Sequence, residues 1–225
     1  MSNSNGVTDL TGLVSPDGGS TAPQRIGLLG GTFDPPHIGH LVLAQEALVQ
    51  LELDRVLLVP AGQPPHKAGR SISAVEDRLA MLERSIADNP IFGISRVDID
   101  RPGPHFTVDM LALILRNEPG SLLYFIMGAD SLADLLTWHQ PRRIAELAKL
   151  VVMRRPGREP DIAALAEAVP GITGRVYYID APLLEISSTD LQSRVRQGLP
   201  VRYLIPDRVI EYIQAHDIYR KPVTP

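Results

Sequence analysis

Five short apolar runs, Ile26 to Leu29, Arg55 to Pro60, Leu122 to Met127, Leu150 to Met153 and Val176 to Ile179, alternate along this chain with amphipathic stretches. Each run is too short for a buried helix and is bounded by Gly, Pro or charge, so each reads as a strand covered on both faces. Helical patterns fill the intervals at Leu41 to Leu51, Val75 to Ala87, Thr107 to Arg116, Ala163 to Val169, Thr189 to Gln197 and Asp207 to Ala215. Strands and helices taking turns imply right-handed crossovers and a parallel sheet with helices on both sides. The expected fold class is α/β, a doubly wound parallel sheet.

Ahead of that pattern, Met1 to Gln24 is rich in Ser, Thr, Asn, Gly and Pro, has no Lys or Arg, and shows neither period. It reads as a disordered tail, without the basic start of a secretory signal or the arginines of a transit peptide. One domain is expected over residues 25–220, its C-terminal part helical from about residue 188, followed by a short tail at 221–225. The 22 basic and 26 acidic side chains sum to −4, which gives no excess positive field for gripping a nucleic-acid backbone. No apolar run is long enough to span a membrane, and zero cysteines fit a reducing cytoplasm. Oligomeric state is unreadable at this level, and a homo-oligomer is compatible with the chain.

The chemistry concentrates where the first strand ends, in Gly30-Gly31-Thr32-Phe33-Asp34-Pro35-Pro36-His37-Ile38-Gly39-His40. A glycine-rich turn between a first strand and its helix brings backbone amides and the positive end of a helix to the carboxyl edge of the sheet, where anions bind. It is neither the G-x-G-x-x-G dinucleotide fingerprint nor G-x-x-x-x-G-K-[ST], which argues against hydride transfer and P-loop hydrolysis. His37 and His40 lie three apart at the helix start, on neighbouring positions of one face. As imidazolium donors they would follow negative charge building on a phosphate; the plainer alternative is a helix cap and a core histidine. A metal site is disfavoured, because His66, His105 and His139 supply no third ligand at a suitable spacing.

Gly30 to His40 resembles the GGTFDPxHxGH signature of the HxGH nucleotidyltransferase superfamily. Within it, six further segments in order are similar to the nicotinate-nucleotide adenylyltransferases: Pro64-Pro65-His66-Lys67, Gly103-Pro104-His105-Phe106-Thr107, Phe125 to Ser131, Thr137-Trp138, Arg154-Arg155-Pro156-Gly157 and Glu185 to Thr189. The resemblance covers Arg25 to Tyr219 and implies a Rossmann-like nucleotidyltransferase fold. It further implies adenylyl transfer from ATP to nicotinate mononucleotide in NAD synthesis, with Mg²⁺ bound through the ATP phosphates. His37 and His40 would be catalytic. ATP would lie against Gly30, His37, Gly39, His40, Gly128, Asp130, Ser187, Ser188 and Thr189. The mononucleotide would lie against Gly31, the amides of Thr32 and Phe33, Lys67, Thr107, Trp138 and His139.

Several of these positions have a second reading. Lys67 reads equally as a solvated loop lysine, Asp130 as a helix N-cap, and Ser187 to Thr189 as a capped helix start. Trp138 reads either as a ring stacked on the pyridine or as core packing. The family's Arg three residues after the Thr is Gln192 here, and a neutral amide is no substitute for a guanidinium. Arg194, Arg196, Arg154 and Arg155 are the candidates to compensate, and a catalytically weak nucleotide-binding protein is one alternative function. Others are transfer to nicotinamide mononucleotide or to phosphopantetheine. Asp109, Glu185, Arg78, Glu83 and Arg84 read as solvated faces or local ion pairs.

Overall fold

The computed structural model describes residues 22–62, 72–154 and 161–219. Among these residues, six parallel strands form one sheet: β1 (Arg25–Gly31), β2 (Arg55–Pro60), β3 (Phe92–Ile94), β4 (Leu122–Gly128), β5 (Ala148–Met153) and β6 (Val176–Ile179), in the order β3-β2-β1-β4-β5-β6. The helices are α1 (Ile38–Gln50), α2 (Val75–Ile86), α3 (Thr107–Asn117), α4 (Ala129–Ala133), α5 (Pro141–Leu147), α6 (Ile162–Ala168), α7 (Ser188–Arg196) and α8 (Asp207–Ala215). The doubly wound parallel sheet expected from the alternation is the fold observed.

Side-chain alternation along the strands separates two cores. Ile26 and Leu28 of β1 and Leu123, Phe125 and Met127 of β4 face one side, where α3 and α5 add Val108, Leu111, Ile114 and Ile144. Leu29 of β1 and Tyr124 and Ile126 of β4 face the other, against Ala44, Ala47 and Leu48 of α1 and Leu82 of α2. A third cluster, Met81, Leu191, Val201, Ile205, Val209, Ile213 and Ile218, fastens α7 and α8 onto α2. The C-terminal helical part therefore belongs to the same packed body as the sheet.

The five expected strands and six expected helices are all present, with ends shifted by a few residues. The largest shift is at α1, which begins at Ile38 rather than Leu41. Three of these strands and helices were not read from the sequence. Strand β3 has three residues, too few for a period, and the five-residue α4 follows directly on β4. Helix α5 begins with Pro141 at its first position, a placement that suits a residue with no N–H to lose. The body also starts earlier than Arg25, since the Gln24 carbonyl accepts from Leu122 N at 2.7 Å. The tails outside residues 22–219 lie beyond the described residues.

Candidate active site

The order β3-β2-β1-β4-β5-β6 reverses direction between β1 and β4, and in open parallel sheets ligands bind in the crevice at the carboxyl ends of the strands at such a reversal. Gly30 and Gly31 end β1 there, and Gly128 ends β4. A Cβ on Gly128 would meet nothing within 4 Å, whereas one on Gly31 would come within 2.9 Å of the Phe33 ring. Gly31 is thus required by the turn itself: Phe33 is buried among the α1-side residues at φ 51°, with its ring folded back over the glycine.

His37 occupies the N-cap of α1 and His40 its third helical residue, and the two rings stack with centroids 3.6 Å apart. His40 Nδ1 accepts from His37 N–H at 3.2 Å, so a neutral His40 carries its proton on Nε2, where it is a donor. His37 is 7% exposed and its Nδ1 has no hydrogen-bond partner, so burial alone acts on the ring and pushes its pKa down to about 4. Without a bound anion, burial therefore favours the neutral form of His37 at pH 7, and two stacked cations would repel. Gly39 makes room for this arrangement, because a Cβ there would lie 3.1 Å from His37 Nδ1.

A lowered histidine pKa fixes how stability responds to acid. The unfolded chain takes up the His37 proton near pH 6.5 and the folded one only near 4, so the histidine's contribution is complete above 6.5 and is lost as pH falls toward 4. The difference amounts to about 3 kcal/mol. Urea unfolding of His37→Asn should show a correspondingly shallower loss of stability than the parent chain between these pH values; parallel profiles would contradict a buried neutral ring.

The remaining expected residues lie on α3, on α4, in the loop before α5 and at the start of α7. Phe125 lies beside Gly30, with its ring 3.6 Å from where a Cβ would be, and Trp138 meets that ring edge-on at 6.2 Å. Trp138 is half-buried and packs against the core, as its core-packing reading has it. Thr107 opens α3, where the first amides have no intrahelical acceptor. Next to it Phe106 stacks on His139 at 4.2 Å, which joins the Thr107 and His139 backbones into one wall. Asp130 is the second residue of α4, exposed, and not its N-cap, a position held by Gly128.

At α7 the cap reading holds: Ser187 Oγ accepts from Asp190 N at 3.1 Å and donates to Asp190 Oδ2 at 2.7 Å. Ser188 Oγ donates to Pro35 O at 3.0 Å, while Thr189 is exposed. Gln192 Nε2 donates to Asp34 O at 2.7 Å, and so ties α7 to the glycine-rich turn instead of reaching an anion. The Arg194 guanidinium donates to Pro200 O at 2.8 and 3.1 Å. Arg154 sits 3.7 Å from Asp180 and over the Tyr178 ring. Lys67 and Arg155 lie outside the described residues.

One expectation fails outright. Arg78 is neither solvated nor one of a surface pair: it is 1% exposed and donates to Thr32 O, Ala61 O, Gly62 O and Ser73 O at 2.8–3.3 Å. Burial lowers its pKa, and the nearby Asp34 carboxylate acts against that. Asp34 is itself 3% exposed and accepts from Ser73 N and the Tyr219 hydroxyl. The signal was present, because Val75, Arg78, Leu79 and Leu82 share one helical face and a charge on an apolar face must find partners.

Comparisons with known proteins bear on the family and the fold. A cytidylyltransferase-like family profile matches residues 28–194. A Roseiflexus sp. (strain RS-1) protein named "Probable nicotinate-nucleotide adenylyltransferase" is 52% identical over 201 residues, 89% of this chain and 100% of that protein. The chain belongs to the nicotinate-nucleotide adenylyltransferase family. A second member with the same name, from Thermomicrobium roseum, is 50% identical over 88% of this chain and 92% of its own. Among solved structures, the Plasmodium falciparum nicotinic acid mononucleotide adenylyltransferase complexed with NaAD superposes with TM-score 0.69 at 20% identity, covering 87% of this chain and 97% of that one. Its likeness is one of fold. No helix among the described residues of this adenylyltransferase is long and apolar enough to cross a membrane.

Proposed function

We propose that this chain transfers the adenylyl group of ATP to nicotinate mononucleotide, giving nicotinate adenine dinucleotide and pyrophosphate. The observation that carries this reading is the pairing, at the end of β1, of a turn whose Gly31 and Thr32 carbonyls are bonded to Ala61 N and Arg78 with two stacked imidazoles at the start of α1. In the reaction an oxygen of the mononucleotide phosphate bonds to the α-phosphorus of ATP as the bond to the β-phosphate oxygen breaks. The nucleophile is already an anion, so no general base is needed. The task is to hold two repelling anions in line and to neutralise charge on the leaving pyrophosphate.

In this reading the amides of Thr32 and Phe33, beside Gly31, receive the mononucleotide phosphate, and His37 and His40 donate to the ATP phosphates next to Gly30 and Gly39. A phosphate drawn against neutral His37 favours its protonation, so charge neutralisation arrives with the substrate. Asp130, past the open edge at Gly128, accepts from the ATP ribose. Thr189 and the first amides of α7, where Ser187 and Ser188 hold the helix start, face the leaving phosphates. The face of Trp138 suits a cationic pyridinium, and the Thr107 and His139 amides suit the nicotinate carboxylate, which favours nicotinate over its neutral amide. Lys67 adds charge for the mononucleotide phosphate. Mg²⁺ would come on ATP and neutralise its phosphates; the turn offers donors rather than oxygen ligands, and no three His, Cys, Asp or Glu of the described residues form a cage.

The direct test is pyrophosphate release from MgATP with nicotinate mononucleotide, nicotinamide mononucleotide and phosphopantetheine in parallel. The reading requires the first to react fastest; release with phosphopantetheine alone, or with none, would overturn it. A second expectation concerns Gly39. Alanine is the better helix former by about 1 kcal/mol, so Gly39→Ala should fold with undiminished stability. Its Cβ displaces the His37 ring, however, and turnover should drop about 10- to 100-fold. Unchanged turnover would mean that the ring's position does not matter.

A further inference from the structure

We propose that Arg78 is a positioning residue for this reaction: from behind the turn it aims the Phe33 amide into the crevice and so builds the mononucleotide phosphate site. The inference rests on the function proposed above and concerns a residue whose guanidinium is buried away from the crevice. Arg78 Nη1 donates to Thr32 O at 3.0 Å. In a trans peptide the carbonyl and the following N–H point in opposite directions, so drawing Thr32 C=O toward Arg78 turns Phe33 N–H the other way. The preceding peptide is fixed by the same logic: Ala61 N donates to Gly31 O at 2.9 Å on the β2 side, which directs Thr32 N–H toward β4. Two consecutive amides thus face the β1–β4 crevice because their carbonyls are held on the opposite side.

The conformation needs holding. Phe33 stands at φ 51°, in the left-handed region that a non-glycine residue adopts only when its surroundings impose it. Arg78 also joins Thr32 to Ala61, Gly62 and Ser73, so the turn, the end of β2 and the entry to α2 share one guanidinium. Lysine has three donors and no planar fork, and cannot serve four carbonyls from three directions.

The test uses the full chain and Arg78→Lys, which keeps the charge. Calorimetric titration with nicotinate mononucleotide should show affinity weakened about 10-fold or more in the variant, whereas titration with MgATP alone should change less than about threefold. A merely structural role would weaken both ligands together or neither, and mononucleotide affinity equal to the parent's in a folded Arg78→Lys would overturn the proposal. If that variant does not fold, the parent decides the matter by NMR. Nicotinate mononucleotide should shift the Thr32 and Phe33 amide protons saturably, and unmoved amides in a chain that releases pyrophosphate would refute the role of Arg78 while leaving the function intact. A chain that releases no pyrophosphate would instead remove the function on which the proposal depends.

Discussion

Replacing His40 by alanine should lower turnover about 10²- to 10³-fold, the usual cost of losing one donor aimed at charge that develops in a transition state. His37→Ala should behave similarly. The two rings stack, and His40 Nδ1 accepts a hydrogen bond from the His37 backbone N–H, so each change also releases its neighbour. The double variant should therefore cost less than the product of the single effects, as for residues that act as a unit. His37→Ala should not endanger the fold, because a buried, unpartnered ring nitrogen is lost rather than created. Initial-rate assays with MgATP and nicotinate mononucleotide, set beside the unfolding curves of each variant, check both statements. Near-parental turnover in either single variant would take the catalytic role from that histidine.

Asp34→Ala should be the most damaging single change to stability. Its carboxylate accepts from Ser73 N at 3.0 Å and from Tyr219 Oη at 2.5 Å, and its charge lies close to the buried Arg78 guanidinium. Removing it takes the carboxylate acceptor from two half-buried donors and the nearest counter-charge from a desolvated cation, a loss of about 3–5 kcal/mol. Tyr219, whose pKa is raised first by burial and then by the Asp34 charge, would lose this acceptor and keep its weak contact to Met81 Sδ at 3.8 Å. Urea denaturation of Asp34→Ala against the parent chain measures this directly; a midpoint within experimental error of the parent's would mean that the network carries little of the fold. Asp34→Asn, which keeps the shape and the acceptor oxygen, should fall between the two.

Much of this was legible in the residues, for reasons that differ by element. Strands β1, β2 and β4 are covered on both faces, so apolar run length alone exposes them, whereas three-residue β3 carries no period. The glycine-rich turn announced itself because Gly31 and Gly39 are forced by the Phe33 and His37 rings. What stayed hidden was the back of the site. Arg78, Asp34, Gln192 and Tyr219 meet across 44 to 185 positions of sequence, and their bonds are largely to backbone carbonyls, which leave no residue-type signature. The Gln192 departure from the family pattern illustrates the limit. Sequence marks a missing cation, while the structure shows the amide fastening α7 to Asp34 O. The protonation state of His37 was equally out of reach, since it depends on how deeply the ring is buried.

The claim beneath all of these expectations is that the turn after β1 gathers the phosphates of two nucleotides. A crystal structure of the full chain with bound nicotinate adenine dinucleotide tests it most directly. The account predicts the two bridging phosphates within hydrogen-bonding distance of the Thr32 and Phe33 amides and of the His37 and His40 rings. Phosphates bound elsewhere, with these four groups left facing solvent, would contradict it.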